Sequence, residues 1–242
     1  SCANGHLDIA EWLYSLGNIN IHTDDEYAFR NSCANGHLNT ANWLYSLDNI
    51  DIHSRNEYAF RWSCEEGHLD VAKWLYSLGD IDIHANSEYA FLNSCKEGNF
   101  DVAKWLYSLG DIDIHIKSDS AFLWSCEEGR LDVAKWLYSL ENINISKSGE
   151  YAFRYSCTNG HFDVAKWLYS LEGIEIDIHI HEEYAFRYSC EKGHLDVAKW
   201  LYSLGGIDIF PIFVQYCKTN SLFIAKWLYL LGGTSVFGTD TL

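Results

Sequence analysis

The chain has 242 residues with 34 acidic and 17 basic side chains, a formal charge of −17. Apolar residues at 48% and charged residues at 21% exclude a disordered chain of low hydrophobicity. The acidity excludes a broad nucleic-acid surface and a polybasic membrane patch, since both need concentrated Lys and Arg, and no apolar run approaches the ~20 residues of a membrane span.

Internal periodicity dominates what remains. The eight Cys, from Cys2 and Cys33 to Cys217, are spaced by 31 five times, then by 33 and 27. The Trp of each Trp-Leu-Tyr triplet, from Trp12 to Trp227, repeats that series in the same order. Two residue types in one register define eight units. In chain order these are a partial unit at 1–25, units at 26–56, 57–87, 88–118, 119–149, 150–182, 183–210 and 211–231, and a tail at 232–242. The first unit lacks its front half and the chain has no Met, which reads as a piece of a longer protein.

Within 57–87, Ala59, Phe60, Ser63 and Cys64 recur at the spacing of one helix face. Asn56 is the expected N-cap, and Glu57 suits the first turn near the positive helix end. Gly67 closes this helix by a left-handed exit. Leu69, Val71, Ala72, Trp74, Leu75 and Leu78 form the apolar stripe of a second helix, which Gly79 ends. Ile81 and Ile83 then alternate with Asp80 and Asp82, the pattern of an extended segment. Each helix has roughly ten residues, too few to be stable alone, so the units must stack on one another. The expected fold is all-α: a solenoid of stacked helix-turn-helix units with short extended fingers.

The Gly-His-Leu-Asp-Val-Ala-Lys-Trp-Leu string resembles the ankyrin repeat. Its Gly-His pair recurs at Gly36-His37, Gly67-His68, Gly160-His161 and Gly193-His194. The Asp-Ile-His ending is similar to the short hairpin segment of that family, and the likeness covers all but about the last ten residues. Two features depart from it. Tyr-Ala-Phe stands where the family opens with Thr-Pro-Leu-His, and the unit is about two residues shorter than the usual ~33. The loss falls in the finger and implies stubby hairpins. In this style the units resemble the ankyrin arrays of large DNA viruses of amoebae. The resemblance implies a non-enzymatic scaffold for protein–protein interaction, with no catalytic residue, metal or cofactor.

The candidate chemistry has plainer readings. Helices of adjacent units sit ~8–10 Å apart, beyond the ~7 Å Cα reach of a disulfide. Cys64 and His68 supply two ligands where structural zinc takes about four. The cysteines therefore read as small buried hydrophobes in a reducing, intracellular compartment, the cytoplasm or that of a host cell. The resemblance makes the Gly-His histidine a structural group of the interhelix turn, replaced in two units by Asn99 and Arg130. The finger histidines His22, His53, His84, His115 and His179 carry at most a weak acid sensitivity. No Gly-x-Ser-x-Gly elbow accompanies Ser63 and no phosphate loop is present. Glu65-Glu66 and Glu127-Glu128 read as solvated surface rather than acid–base pairs. Lys73, Lys104, Lys135, Lys166, Lys199 and Lys226 form a column on the wet side of the second helices, most with an Asp three residues earlier.

Two places vary while the core stays constant. One is the residue before Ser-Cys: Asn31, Trp62, Asn93, Trp124, Tyr155 and Tyr188. The other is the pair after Cys: Ala34-Asn35, Glu65-Glu66, Lys96-Glu97, Glu127-Glu128, Thr158-Asn159 and Glu191-Lys192. In ankyrin proteins the residues matching this pair line the concave groove that holds partners, together with the finger tips, here Arg55, Asn86 and Lys117 among others. The resemblance thus places a protein partner on this strip. Its acidic patches with Trp and Tyr suit a basic or Arg-rich segment. No nucleic acid or membrane is expected, and the chain is read as a monomer. The rival reading of Trp62 and Trp124 is that they fill gaps between neighbouring helices. Two other classes stay open: a recruiting arm for a ubiquitin ligase or another effector outside this chain, and a structural spacer without a specific partner. Near the end, Phe223 stands where other units carry Asp. The tail, through Val236 and Phe237, or further chain or a partner is expected to cover it.

Overall fold

The periods fold into fifteen α-helices, with no strand among the described residues. The computed structural model describes residues 1–17, 19–140, 143, 145–172, 176–218 and 222–237, and their side chains apart from 145–147 and 233–237. A 3-10 turn at Cys2–Asn4 leads into α1 (Leu7–Ser15), the second helix of the partial unit. First and second helices then alternate: α2 (Thr23–Ala34) and α3 (Leu38–Leu47), α4 (Ser54–Glu65) and α5 (Leu69–Leu78), α6 (Ala85–Glu97) and α7 (Phe100–Ser108). They continue as α8 (Ile116–Glu127) and α9 (Leu131–Ser139), α10 (Ile145–Thr158) and α11 (Phe162–Tyr169), and α12 (Ile180–Glu191) and α13 (Leu195–Ser203). The last pair is α14 (Ile209–Lys218) and α15 (Leu222–Phe237). Two compact units result, a first of residues 1–125 with 132–141 and a second of residues 126–131 with 142–242.

In the first unit Phe29, Phe60 and Phe91 are fully buried, with the Ala, Cys, Val and Leu of each period around them. Each such ring contributes about 1.5–3 kcal/mol by leaving water. Stacking has a direction, because the Trp of one period sits against rings of the period before. Trp74 lies 6.1 Å from Phe29 and 5.9 Å, edge-on, from Tyr45. Trp105 repeats this against Tyr76 at 5.8 Å, and Trp136 against Tyr107 at 5.6 Å. In the second unit Trp200 lies 6.0 Å from Phe153 and 5.6 Å, edge-on, from Tyr169.

Cys33, Cys64, Cys95, Cys126, Cys157 and Cys190 are free and buried. Burial pushes these thiols up, Cys190 to about 12, which leaves them unreactive. The serines before Cys95, Cys157 and Cys190 do more than share a helix face, whereas Ser63 donates to Phe60 O of its own helix at 2.9 Å. Ser94 Oγ lies 2.7 Å from Ala90 O in its own helix and 3.1 Å from Cys64 O of the preceding first helix. In the second unit Ser156 and Ser189 reach Cys126 O and Cys157 O at 3.0 and 2.9 Å. One hydroxyl proton is shared between two carbonyls, and this links neighbouring periods.

Gly36 explains the Gly-His pair. Its φ is +75°, and a Cβ there would stand 2.5 Å from Nδ1 of His68 in the next period. Glycine supplies both the left-handed turn and the close approach. Asn99 takes the histidine's place over Gly67 and donates from Nδ2 to Glu65 O at 2.5 Å.

The fingers correct the expectation of an extended segment and hairpin. The alternation holds for a few residues, with Ile50 and Ile81 buried and Asp51 and Asp82 exposed. The chain then makes a single left-handed turn: Arg55, Asn56 and Glu57 have φ of 54°, 57° and 60°. The same three positions are left-handed at 24–26, 86–88, 117–119 and 181–183. A non-glycine residue pays about 1–2 kcal/mol for this conformation, so the turn must be held from outside. Asp51 Oδ1 accepts the His53 N–H at 3.0 Å, and His53 Nδ1 lies 2.8 Å from Oε1 of the buried Glu57. Arg61 clamps the other side, donating from Nε to Asn56 O at 2.7 Å and from Nη2 to Arg55 O at 3.2 Å. Ser54 Oγ donates to Asp25 O of the preceding turn at 2.9 Å. Asn56 is therefore the middle of a turn and not an N-cap, and the right-handed helix begins at Tyr58. At the far end Phe223 is 68% exposed; the side chains of Val236 and Phe237 lie outside the described residues.

Candidate functional site

The exposed face of the first helices rests on two positions. The Tyr of Tyr-Ala-Phe and the variable residue four places on lie one turn apart on the same helix face. In α4 these are Tyr58 and Trp62, stacked at 5.4 Å with planes 27° apart, and Trp62 meets Tyr89 of α6 at 6.2 Å. In α10 and α12 both positions are Tyr. Tyr151 and Tyr155 are 4.2 Å apart, Tyr184 and Tyr188 4.3 Å, and Tyr155 and Tyr184 6.3 Å. Where the variable residue is Asn, it folds back onto its helix: Asn31 Nδ2 donates to Tyr27 O at 2.9 Å and Asn93 Nδ2 to Tyr89 O at 3.0 Å. Guanidinium groups from the preceding first helix lie over tyrosine faces. Arg30 is 4.6 Å from the Tyr58 centroid, Arg61 4.7 Å from Tyr89 and Arg154 5.3 Å from Tyr184, each a cation–π contact.

The residues singled out in the sequence divide by depth. Trp62, Asn93, Trp124, Tyr155 and Tyr188 are half-buried, as are Glu65, Lys96, Glu127 and Asn159, whereas Glu66, Glu97, Glu128, Glu191 and Lys192 are exposed. Glu65 accepts the Tyr89 O–H at 2.6 Å; burial, and behind it this carboxylate, push the Tyr89 phenol up. Burial and Glu127 push Tyr151 up to about 12. Lys192 Nζ donates to Asn159 Oδ1 at 2.9 Å, and Asn159 Nδ2 to Glu127 O at 3.0 Å. Arg55, Asn86 and Lys117 are exposed on the left-handed turns; Arg55 Nε pairs with Asp25 Oδ2 at 3.1 Å. Thr158 is a correction. It is 4% exposed and offers nothing to a partner. Its position points inward: Glu65 and Lys96 reach water along their stems, while Thr158, like Ala34, is too short to do so.

Tyr58, Tyr89, Tyr151 and Tyr184 belong to the face and were not singled out. The signal was their place four residues before the variable position. Among the described residues no three His, Cys, Asp or Glu side chains gather as a metal site, and no helix is long and apolar enough to cross a membrane. Half-exposed rings beside carboxylates offer stacking, cation contacts and hydrogen-bond acceptance. On the second helices, Lys104 pairs with Asp101 at 3.0 Å and covers the Phe100 ring at 4.2 Å.

A family model described as ankyrin repeats (3 copies) matches residues 1–87, 62–147 and 91–180. No curated protein matches the chain. Among solved structures the human ASB11 ankyrin repeat domain is similar, with 19% identity and a TM-score of 0.54 over 74% of this chain and 83% of that one. At that identity the likeness speaks for the fold.

Proposed function

The chain belongs to the ankyrin-repeat family, whose repeats generally mediate protein–protein interaction, and from that premise we propose that it is a non-enzymatic interaction module that holds a protein partner on the face of its first helices. One observation carries this reading. The core residues of the periods are nearly constant, while the half-exposed position of the first helix runs Asn31, Trp62, Asn93, Trp124, Tyr155, Tyr188. A spacer has no use for such variation on a constant frame, and aromatic anchors are the usual centres of binding energy. The net charge of −17 suits a basic partner segment, since complementary charge speeds encounter and rejects like-charged competitors. Recruitment of a substrate to an effector would use the same face. Six buried free thiols suit a reducing compartment, and the short unit with its Tyr-Ala-Phe opening supports a place among the viral-type arrays.

The test is selection of ligands from a displayed peptide library on the full chain. Two variants are then compared. One carries Trp62→Asn, Glu66→Gln, Tyr188→Asn and Glu191→Gln on the first helices. The other carries Lys73→Gln, Lys104→Gln and Lys199→Gln on the second helices. Ligands should be lost from the first variant and kept by the second. Equal retention by both overturns the assignment of the face.

A further inference from the structure

The two units differ sharply in charge. The first has 21 acidic against 8 basic side chains and the second 13 against 9, so the acidity is concentrated in the first. Within it, Trp62 occupies a particular place. Its indole is half-buried, stacked on Tyr58 at 5.4 Å and beside Tyr89 at 6.2 Å. The two flanking tyrosines already carry guanidinium groups, Arg30 on Tyr58 and Arg61 on Tyr89. These arginines are spent internally: they are 2% and 9% exposed and donate to the left-handed turns. Among the described residues no cation lies over Trp62, although indole is the strongest cation acceptor of the three rings. Two carboxylates follow it at the spacing that shares a helix face. Glu66, one turn on, is exposed, and Glu65 is fixed by the Tyr89 O–H at 2.6 Å. At the corresponding positions of α6, Lys96 and Glu97 pair with each other at 3.5 Å.

We propose that Trp62 and Glu66, with Glu65 held by Tyr89, receive one arginine side chain of the protein partner. The guanidinium plane lies on the indole and its N–H fork donates to Glu66. This rests on the reading of the chain as an interaction module and names the chemistry it recognises in the first unit. Arginine is favoured over lysine because a planar, forked cation can stack and pair at once, whereas an ammonium is a compact, strongly hydrated point charge. The protein's own Arg30 and Arg61 do the same on neighbouring rings. The string Trp-Ser-Cys-Glu-Glu occurs at 62–66 and again at 124–128, and in no other period.

The experiment uses the full chain and a fluorescein-labelled Gly-Ser peptide containing two arginines, with fluorescence anisotropy as the readout. Versions with lysine and with uncharged citrulline are compared at several salt concentrations. The arginine peptide should bind about tenfold or more tightly than the citrulline peptide, since a charge-assisted fork is lost. It should also bind about threefold more tightly than the lysine peptide. Trp62→Asn should weaken it about 3–5-fold. That variant is compatible with folding by the protein's own example, since Asn31 and Asn93 fill the same position. Glu66→Gln should weaken binding and flatten its salt dependence, and Lys73→Gln on the second helix should change nothing. Equal affinity for the arginine and citrulline peptides, or no effect of Trp62→Asn in a variant of unchanged melting temperature, overturns the proposal. If that happens while the library ligands still depend on the first-helix face, the interaction module stands and only the arginine receptor falls.

Discussion

The first helices α4 and α6 and their counterparts α10 and α12 are built on one register and use it differently. In the first pair the arginine after the buried Phe of α4 is committed to the backbone: Arg61 caps a left-handed turn through two carbonyls. In the second pair the same position pairs with acids, Arg154 with Glu150 at 3.6 Å and Arg187 with Glu182 at 3.4 Å. The aromatic surface differs as well. Trp62 is followed one period later by Asn93, whereas Tyr155 is followed by Tyr188, so the second unit carries an unbroken run of four rings. A repeated position fixes where a side chain emerges, and its neighbours decide what it does there. The frame is shared; the chemistry is local.

The largest test of a shared frame is to damage it equally. Phe91→Ala in the first unit and Phe153→Ala in the second should each cost about 3–5 kcal/mol, read by native-state hydrogen exchange within the unit concerned. Clearly unequal losses would mean that the cores are not equivalent. The arginines should then separate the units. Arg61→Ala removes two charge-assisted bonds to the carbonyls of the left-handed turn and should cost about 1.5–3 kcal/mol. Arg187→Ala breaks an ion pair whose Glu182 is solvated, and should cost less than about 1 kcal/mol. Arg61→Leu should fall between them, because Leu92 fills the same position in α6, buried, beside an intact left-handed turn. Smaller still is the ring run. Tyr188→Asn should cost about 0.5–1.5 kcal/mol and Asn93→Tyr should recover a similar amount, both measured by thermal unfolding.

The finest distinction is the sign of a pH effect. Hydrogen bonds to Glu26 and then Asp48 raise His22 in the first unit above its usual 6.5. Its contribution is complete below 6.5 and is lost as pH rises through the folded-state value. In the second unit burial lowers His161 below 6.5. There the charged ring is disfavoured, so stability declines as pH falls from about 6.5 towards the folded-state value. Imidazole titrations followed by NMR should place the His22 midpoint above 6.5 and the His161 midpoint below it. The reverse order would contradict both the hydrogen bonds of His22 and the burial of His161.

Much of this was legible because periodicity speaks in residue types. Cys64 and its equivalents announce a small buried slot, Trp74 a recurring contact, and Gly36 with His37 a turn needing positive φ. The left-handed turn was not legible, because Arg55-Asn56-Glu57 holds no glycine and the acid in its third place reads as ordinary helix-start chemistry. Its cause lies elsewhere, in the histidine four residues before Glu57, which recurs as His84 and His115 before the turns at 86–88 and 117–119, where leucine replaces the arginine. The interperiod hydroxyl of Ser94 was hidden for a similar reason: its partner, Cys64 O, is backbone thirty residues away. On the candidate face the variable positions were readable by contrast with the core. Their tyrosine neighbours, being nearly constant, gave no contrast, and the depth of Thr158 depended on side-chain length against a neighbouring helix.

The tryptophans Trp43, Trp74, Trp105, Trp136 and Trp200, each lodged against a ring of the period before, give those periods a plug that fits a matching socket on the preceding one. A gene segment copied at any point of the register therefore encodes a part that already fits its neighbours. Such a chain can lengthen or shorten by whole units through unequal recombination without a new core having to be invented, and the copied unit's exposed first-helix residues are then free to diverge.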